Sequence, residues 1–403
     1  MKRISLLMII VILLAWIVGC EGEGEIVSYD LTITSTAGGA VTTPGEGVFT
    51  YDEGTTVNLT AGIEAGYRFI NWTGDVGTVA DANDTTTTIT MSGDYSIMAN
   101  FAFLEILEIW DWHDLDAIRY DLSANYLLMN DLDSATVGYE ELASTVANGG
   151  NGWEPIGASP NAFTGLLNGQ GYEIRDLVIN CPDKAAGLFA FVDAGGVIKN
   201  ICVVDADVIG GNHTGSLVGL ILYDGTVNES YSSGSVIGED YVGGLVGSNW
   251  GSSVTNSYST SSVIGENSVG GLVGDSAGTV SNSYSSGDAN GNGWVGGLVG
   301  WNLGSVNNSY STGGVSGVYG VGGLVGYNDG IVNNSFWDTE TSGQAASDGG
   351  IGKTTAEMQD ITTFSGAMWD IVAVVNPNIR NLAYIWNIVD DVICPFLSWQ
   401  SVS

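Results

Sequence analysis

Tyr241-Val-Gly-Gly-Leu-Val-Gly-Ser248, Ser268-Val-Gly-Gly-Leu-Val-Gly-Asp275, Trp294-Val-Gly-Gly-Leu-Val-Gly-Trp301 and Gly320-Val-Gly-Gly-Leu-Val-Gly-Tyr327 are four versions of one phrase, with a looser fifth at His213-Thr-Gly-Ser-Leu-Val-Gly-Leu220. A second register runs in step: Asn or Glu, then Ser, then an aromatic, ending at Tyr231, Tyr258, Tyr284, Tyr310 and Phe336, at separations of 27, 26, 26 and 26 residues. Internal periods of this size mark a stack of like units. The apolar positions of each unit are few and short, as in Leu298-Val299, Val306 and Val315, and each run is bounded by Gly or Asn. That pattern excludes helices and leaves brief strands joined by tight turns. One unit cannot bury a core alone, whereas parallel coils place each Leu-Val pair over the next, with a rise of about 4.8 Å per coil. Asn256, Asn282, Asn308 and Asn334 form one column at a turn, where Asn tolerates left-handed backbone. The Gly columns are expected to supply the tight corners. The expected class is all-β: a parallel β-helix, or β-solenoid, of repeats of about 26 residues, preceded by a small all-β module and flanked by short capping helices.

The flanks divide the rest of the chain. Residues 1–19 read as a secretory signal, with Lys2 and Arg3 before the apolar run Leu6 to Val18. Residues 26–103 alternate β-formers with turn residues, in Tyr29 to Thr34, Thr55 to Thr60, Tyr67 to Trp72 and Thr85 to Met91. Within 104–162, a linker and N-terminal cap, Trp112, Leu115, Ile118 and Leu122 fall on one face of a short helix. The neighbouring cluster Trp110-Asp-Trp-His-Asp114 is read as the first turn of that helix, with Asp favoured by the helix dipole, rather than as a metal site. The solenoid is assigned to 163–345 and a C-terminal cap to 346–403, opening on a capping box at Thr354-Thr-Ala-Glu357. The cap's expected task is to close the open end of the solenoid.

Ile17-Val18-Gly19-Cys20 resembles the lipobox of bacterial lipoproteins, which implies cleavage before Cys20, lipidation of its thiol, and a short tether over 20–25. The stretch Gly66 to Trp72, followed by Thr88 to Met91 and Ile97 to Phe101, resembles internalin B-repeat-like modules, generally spacers or contact domains. The Gly-Leu-Val-Gly repeats resemble the GLUG motif of bacterial surface and adhesin-like proteins, over about 187–336. Together these resemblances imply a lipid-anchored, extracytoplasmic protein of the cell envelope, used for adhesion or surface interaction with a glycan or protein ligand. A structural stalk without a specific ligand and a carbohydrate-active β-helix enzyme are the alternatives.

Composition narrows the chemistry. The net charge is −36, and beyond the signal the strong bases are Arg68, Arg119, Arg175, Lys184, Lys199, Lys353 and Arg380. Nucleic acid is excluded as a partner, since phosphate contacts need clustered Lys and Arg. Only His113 and His213 exist, neither in a His-Glu-x-x-His frame, so the zinc peptidases that accompany some GLUG repeats find no ligand set here. No Lys or Arg lies between Asn200 and Gly352 to act as a lyase base. Asp205 and Asp207 share one side of a strand, but nothing marks them as a hydrolase pair, and no catalytic residue is assigned. Acidic turns such as Glu239-Asp240 offer the oxygens Ca²⁺ prefers, without an EF-hand or Gly-Asp nonapeptide pattern, so no cofactor or metal is assigned. Cys181 and Cys202 lie 21 residues apart, close to one repeat, and are a possible disulfide between adjacent coils; buried thiols are the alternative.

Repeat-constant columns are explained by folding, so ligand contacts are sought in columns that vary. The position after the final Gly of the phrase reads Leu220, Ser248, Asp275, Trp301, Tyr327, and the position two before its first Gly reads His213, Tyr241, Ser268, Trp294, Gly320. Trp301 and Tyr327 are expected to stack near Trp250 as a flat aromatic strip, and Trp250, Trp294, Trp301 and Tyr327 are the candidate ligand-binding residues. A stabilising cross-strand ladder would place the same residues there.

Overall fold

The computed structural model describes residues 27–400 apart from Ala65 and Leu104. The expected signal, Cys20 and its acidic tether lie outside the described residues. The chain divides into two compact units, one through Glu105 and one from Ile106.

In the first unit, Ser28–Ser35, Gly47–Asp52, Tyr67–Gly74 and Tyr95–Phe103 form one sheet, and Gly39–Thr43, Thr56–Ile63 and Thr86–Thr90 a second. Alternate residues face inward, among them Leu31 and Ile33, Val57 and Leu59, and Ile97, Ala99 and Phe101, the period of a half-buried strand. Trp72 is buried among them and donates its indole N–H to the Asp84 carbonyl at 2.9 Å.

The second unit is the solenoid. One full coil runs through Asp240–Gly243, Val246–Trp250, Ser253–Thr255, Tyr258–Ser259 and Ser262–Ile264, and the next begins at Asn267–Gly270. Every pairing between these coils is parallel, with Val242 on Val269, Val246 on Val273 and Val254 on Val280. One face is a nine-stranded sheet from Ile106–Ile109 to Ile331–Asn333. Val269, Leu272, Val273 and Val280 are fully buried, and their equivalents join a single core extending from Ile109 to Trp337. Beside this core runs a hydroxyl ladder. Ser257, Ser283, Ser309 and Ser335 are each buried; the amides of Ser257, Ser283 and Ser309 donate to the next Ser Oγ at 3.1–3.2 Å, and each Oγ donates to a carbonyl two residues back. Buried polar groups are thereby satisfied coil by coil.

The Gly columns act differently from expectation. A Cβ on Gly243, Gly270, Gly296 or Gly322 would meet the carbonyl oxygen of Val246, Val273, Val299 or Val325 at 2.0, 1.9, 2.0 and 1.9 Å, and none of these glycines has a left-handed φ. They permit close backbone approach. The left-handed corners fall on Asn256, Asn282, Asn308 and Asn334, at φ 49°, 49°, 47° and 48°, and on a second column of mixed composition described below.

The predicted helix forms as Trp112–Asp116 continued by a 3-10 turn at Ala117–Tyr120, burying Trp112, Leu115 and Ile118. The Asp111 carboxylate accepts from the His113 and Asp114 amides as an N-cap. The capping box at Thr354 and Glu357 is present. The C-terminal segment meets the end of the solenoid through its first residues, and Ile351–Lys353 pairs in parallel with Phe336–Asp338. On the last coil the Ser347 hydroxyl accepts from the Leu324 and Val325 amides at 3.1 and 2.9 Å and the Asp348 carboxylate accepts from the Asn328 amide at 2.8 Å. Residues 354–400 instead lie along the flank. They cover a stack of Tyr231, Tyr258, Tyr284 and Tyr310, whose rings sit 4.7–4.9 Å apart and within 4° of parallel. Trp369, Trp386 and Trp399 pack on this stack, and the Tyr310 hydroxyl donates to the Pro395 carbonyl at 2.5 Å. A column of large rings pointing outward leaves apolar area that must be covered from the side.

The Cys181–Cys202 bridge is not formed; both are free thiols. Parallel register sets Cys181 beside Gly210 and Cys202 beside Glu173 and Tyr231, at opposite ends of one face. Sequence spacing near one repeat does not place two residues in one column when the first coil is irregular.

Candidate functional site

The second left-handed column is His213, Tyr241, Ser268, Trp294 and Gly320, at φ 60°, 62°, 53°, 51° and 61°. Each residue stands two before a close-approach glycine, so the backbone must turn there. For an L-residue with a bulky side chain this conformation costs about 1–2 kcal/mol. Asn meets that demand cheaply at the other corner; Tyr and Trp do not.

Opposite this column lies the one following the phrase: Ser248 on Asp275, Asp275 on Trp301, Trp301 on Tyr327. The two columns interlock. Trp294 lies over Trp301 at 5.1 Å between centroids and over Tyr327 at 5.7 Å, while Trp301 and Tyr327 meet nearly edge-on at 6.3 Å and 62°. The expected flat strip is thus a folded three-ring cluster. Gly320 makes it possible, because a Cβ there would lie 2.7 Å from Trp294 Cδ1. Trp301 is partly buried, whereas Tyr327 is 38% and Trp250 48% exposed.

Trp250 does not stack on the cluster. Its indole N–H donates to Asp275 at 2.7 Å, because the intervening coil offers Ser268 and Asp275 in place of rings. Asp275 is fully buried, and burial raises its pKa to about 6 against hydrogen bonds from Ser248 and Trp250 that lower it. One coil away, His213 stacks on Tyr241 at 4.8 Å and 9°, with its Nδ1 2.7 Å from the Ser248 hydroxyl, and burial lowers its pKa. Ser248 is fully buried, so this Ser–His contact presents no accessible nucleophile. Asp275 Oδ1, Ser268 Oγ and Trp301 Nε1 are buried without a hydrogen-bond partner in the protein, a cost of about 1–3 kcal/mol each. Asp275 and Tyr241 were present in the aligned columns of the sequence, but an acid among small and aromatic residues was the only sign that the column mattered.

The other chemical candidates remain dispersed. His113 Nε2 meets Glu141 at 2.9 Å on the surface, and the resulting interaction raises the His pKa. Asp205 and Asp207 are exposed at a bulge between Cys202–Gly210 and Tyr231–Ile237. Among the described residues no three of His, Cys, Asp and Glu gather as metal ligands.

Comparison with known proteins locates both units. A relative, halomucin of Haloquadratum walsbyi, is 35% identical over 139 residues, which are 33% of this chain but 1% of halomucin. A provisionally named Gly-rich membrane protein of Evansella cellulosilytica is 35% identical over 117 residues, 27% of this chain and 13% of that protein. The chain therefore spans a small part of the curated relatives it matches. Among solved structures, a protein from Bacteroides ovatus provisionally named an immunoglobulin A1 protease superposes with a TM-score of 0.52 at 17% identity, covering 73% of this chain and 92% of its own; this likeness shows the fold alone. Residues 29–103 match the divergent InlB B-repeat domain, and residues 238–264 match the GLUG motif.

Proposed function

We propose that this is an exported, lipid-anchored protein of the bacterial cell surface in which the first unit is a spacer and the solenoid presents its aromatic corner to a glycan or protein ligand without catalysing a reaction. The observation that carries the reading is Trp294 in a left-handed corner, φ 51°. A corner built only for folding would hold Asn or Gly, as the corner at Asn308 and the next coil at Gly320 do. Strained backbone of this kind is retained where a side chain is needed. Trp294, Trp301 and Tyr327 offer ring faces and edges suited to sugar rings or to protein side chains. Trp250 extends the surface through Asp275. The names of halomucin and of the Gly-rich membrane protein agree with display outside the cell, and Cys20 is the proposed lipidation site.

Replacing Trp301 and Tyr327 together by Ser tests the ligand face. Retention on polysaccharides and cell-surface preparations is expected to be lost while the circular dichroism of the coils is kept, and undiminished retention would remove this face from consideration. Radiolabelled palmitate incorporation, expected in the native chain and absent in Cys20→Ala, tests the anchor. Cleavage of the retained polysaccharide would overturn the non-catalytic reading.

A further inference from the structure

We propose that one ordered water lies beneath the aromatic corner, held by Asp275, Ser268 and Trp301, and that Asp275 acts through it as the positioning residue of the ligand face; the second half rests on the function proposed above. Asp275 Oδ1, Ser268 Oγ and Trp301 Nε1 are buried and find no partner in the protein, and the whole of Asp275 and of Ser268 is buried. The register brings the three together. Asp275 lies directly on Trp301 in adjacent coils. Ser268 falls between Tyr241 and Trp294 in its own column, and the Trp294 ring lies over Trp301 at 5.1 Å. Where these neighbours carry rings, Ser268 carries a hydroxymethyl group, and a water needs only about 30 Å³.

The polarity of the three atoms selects the occupant. An indole N–H only donates, an ionised carboxylate only accepts, and a hydroxyl does either. A cation would be repelled by the indole N–H, and an anion by the carboxylate. A water accepts from Trp301, donates to Asp275 and bonds to Ser268, which are the three bonds a buried water typically makes. Asp275 Oδ2 already accepts from the Trp250 indole at 2.7 Å. With the water on Oδ1, one carboxylate holds two indoles: that of the exposed Trp250 and that of Trp301 inside the three-ring cluster. Rings fixed in advance need not be ordered by the ligand. One water does not replace the hydration lost on full burial, so the Asp275 pKa stays raised to about 6. The titratable groups around this carboxylate are His213, which meets Ser248 at 2.7 Å, Tyr241, whose pKa is raised by burial and then by Asp275, and Asp240, which acts on both.

The indole N–H resonances of the full chain, labelled with ¹⁵N-tryptophan and assigned through Trp250→Phe and Trp301→Phe, test the site without any ligand. As pH passes through about 6, the Trp250 and Trp301 resonances are expected to shift together with one midpoint, and neither should move in Asp275→Asn. Movement of Trp250 alone would overturn the water, and movement of Trp301 that persists in Asp275→Asn would trace it to His213 instead. A crystal structure with ordered solvent is expected to show a water within about 3 Å of all three atoms; a dry site or a direct Asp275–Trp301 bond would contradict it. Asp275→Ala should weaken retention on the polysaccharide and cell-surface panel about tenfold, the cost of ordering two freed rings. Asp275→Asn keeps an acceptor for Trp250 and an amide toward the water, and should restore most of the retention. Undiminished retention in Asp275→Ala would overturn the positioning role. A native chain that is not retained at all would remove the ligand face, while the joint movement of the two resonances would still establish the water.

Discussion

The solenoid turns through left-handed backbone at two columns and fills them by opposite means. At Asn256, Asn282, Asn308 and Asn334 the residue that best tolerates the conformation recurs, and the next residue, a buried Ser, ties coil to coil by hydrogen bonds. At His213, Tyr241, Ser268, Trp294 and Gly320 the backbone conformation is the same but the side chains change from coil to coil and include the most costly ones. A close-approach glycine follows each of them, and backbone pairing joins the coils, as in the Thr214 amide to the Tyr241 carbonyl at 3.1 Å. The first corner is filled by the residue that tolerates its backbone; the second puts bulky rings in the same conformation, beside Asp275 Oδ1, Ser268 Oγ and Trp301 Nε1, unpartnered in the protein, and is the corner to which the proposed ligand face is assigned.

Breaking each corner by its own mechanism gives the largest effects. Gly296→Ala drives a Cβ into the Val299 carbonyl at 2.0 Å with only backbone to yield, so a loss of about 3 kcal/mol or more is expected in urea unfolding. Ser309→Ala strands the Ser283 amide in the core, for about 1–3 kcal/mol. A milder outcome for Gly296→Ala than for Ser309→Ala would contradict the steric account of the aromatic corner.

Asp275 sharpens the contrast through pH. Its pKa is raised from 3.8 to about 6 on folding, so between these values the native state binds more protons than the unfolded one and stability falls as pH rises. Asp275→Asn should therefore flatten this part of the pH–stability curve and raise the unfolding free energy at neutral pH by an amount on the order of 2 kcal/mol. His213 acts in the opposite sense. Its lowered pKa makes the unfolded state the better proton acceptor just below 6.5, where stability rises with pH, and it is unchanged by the Asn substitution. A steeper pH dependence in Asp275→Asn would show that the carboxylate is satisfied in the fold. The smallest change is expected from Asn308→Gly: within about 0.5 kcal/mol in thermal melting, because Gly meets the same φ at some entropic cost.

Much of this architecture was legible in the residues. Two locked registers, Gly-Leu-Val-Gly and Asn-Ser-Tyr, specify the period, the parallel stacking and the buried columns, and the capping box at Thr354 and the helix at Trp112 follow from local rules. The misreadings have a common cause. Whether a Gly serves φ or close approach depends on the backbone of its own turn, which composition does not display. The flank packing of Trp369, Trp386 and Trp399 on the tyrosine stack joins residues up to 143 apart, as the Trp399 N–H to the Asn256 carbonyl shows. The varying columns can be aligned from the sequence, but their strain and the buried acid between the rings depend on three-dimensional placement.

Trp294→Gly tests the central claim most directly. Gly at this corner already occurs one coil on, at Gly320, so the substitution relieves backbone strain while removing the ring that bridges Trp301 and Tyr327. Retention of the full chain and of this variant would be measured on the same polysaccharide and cell-surface panel, together with the melting midpoint of each. The account predicts that retention is lost while the midpoint is unchanged or raised; a lowered midpoint with full retention would show that the aromatic corner is a brace and nothing more.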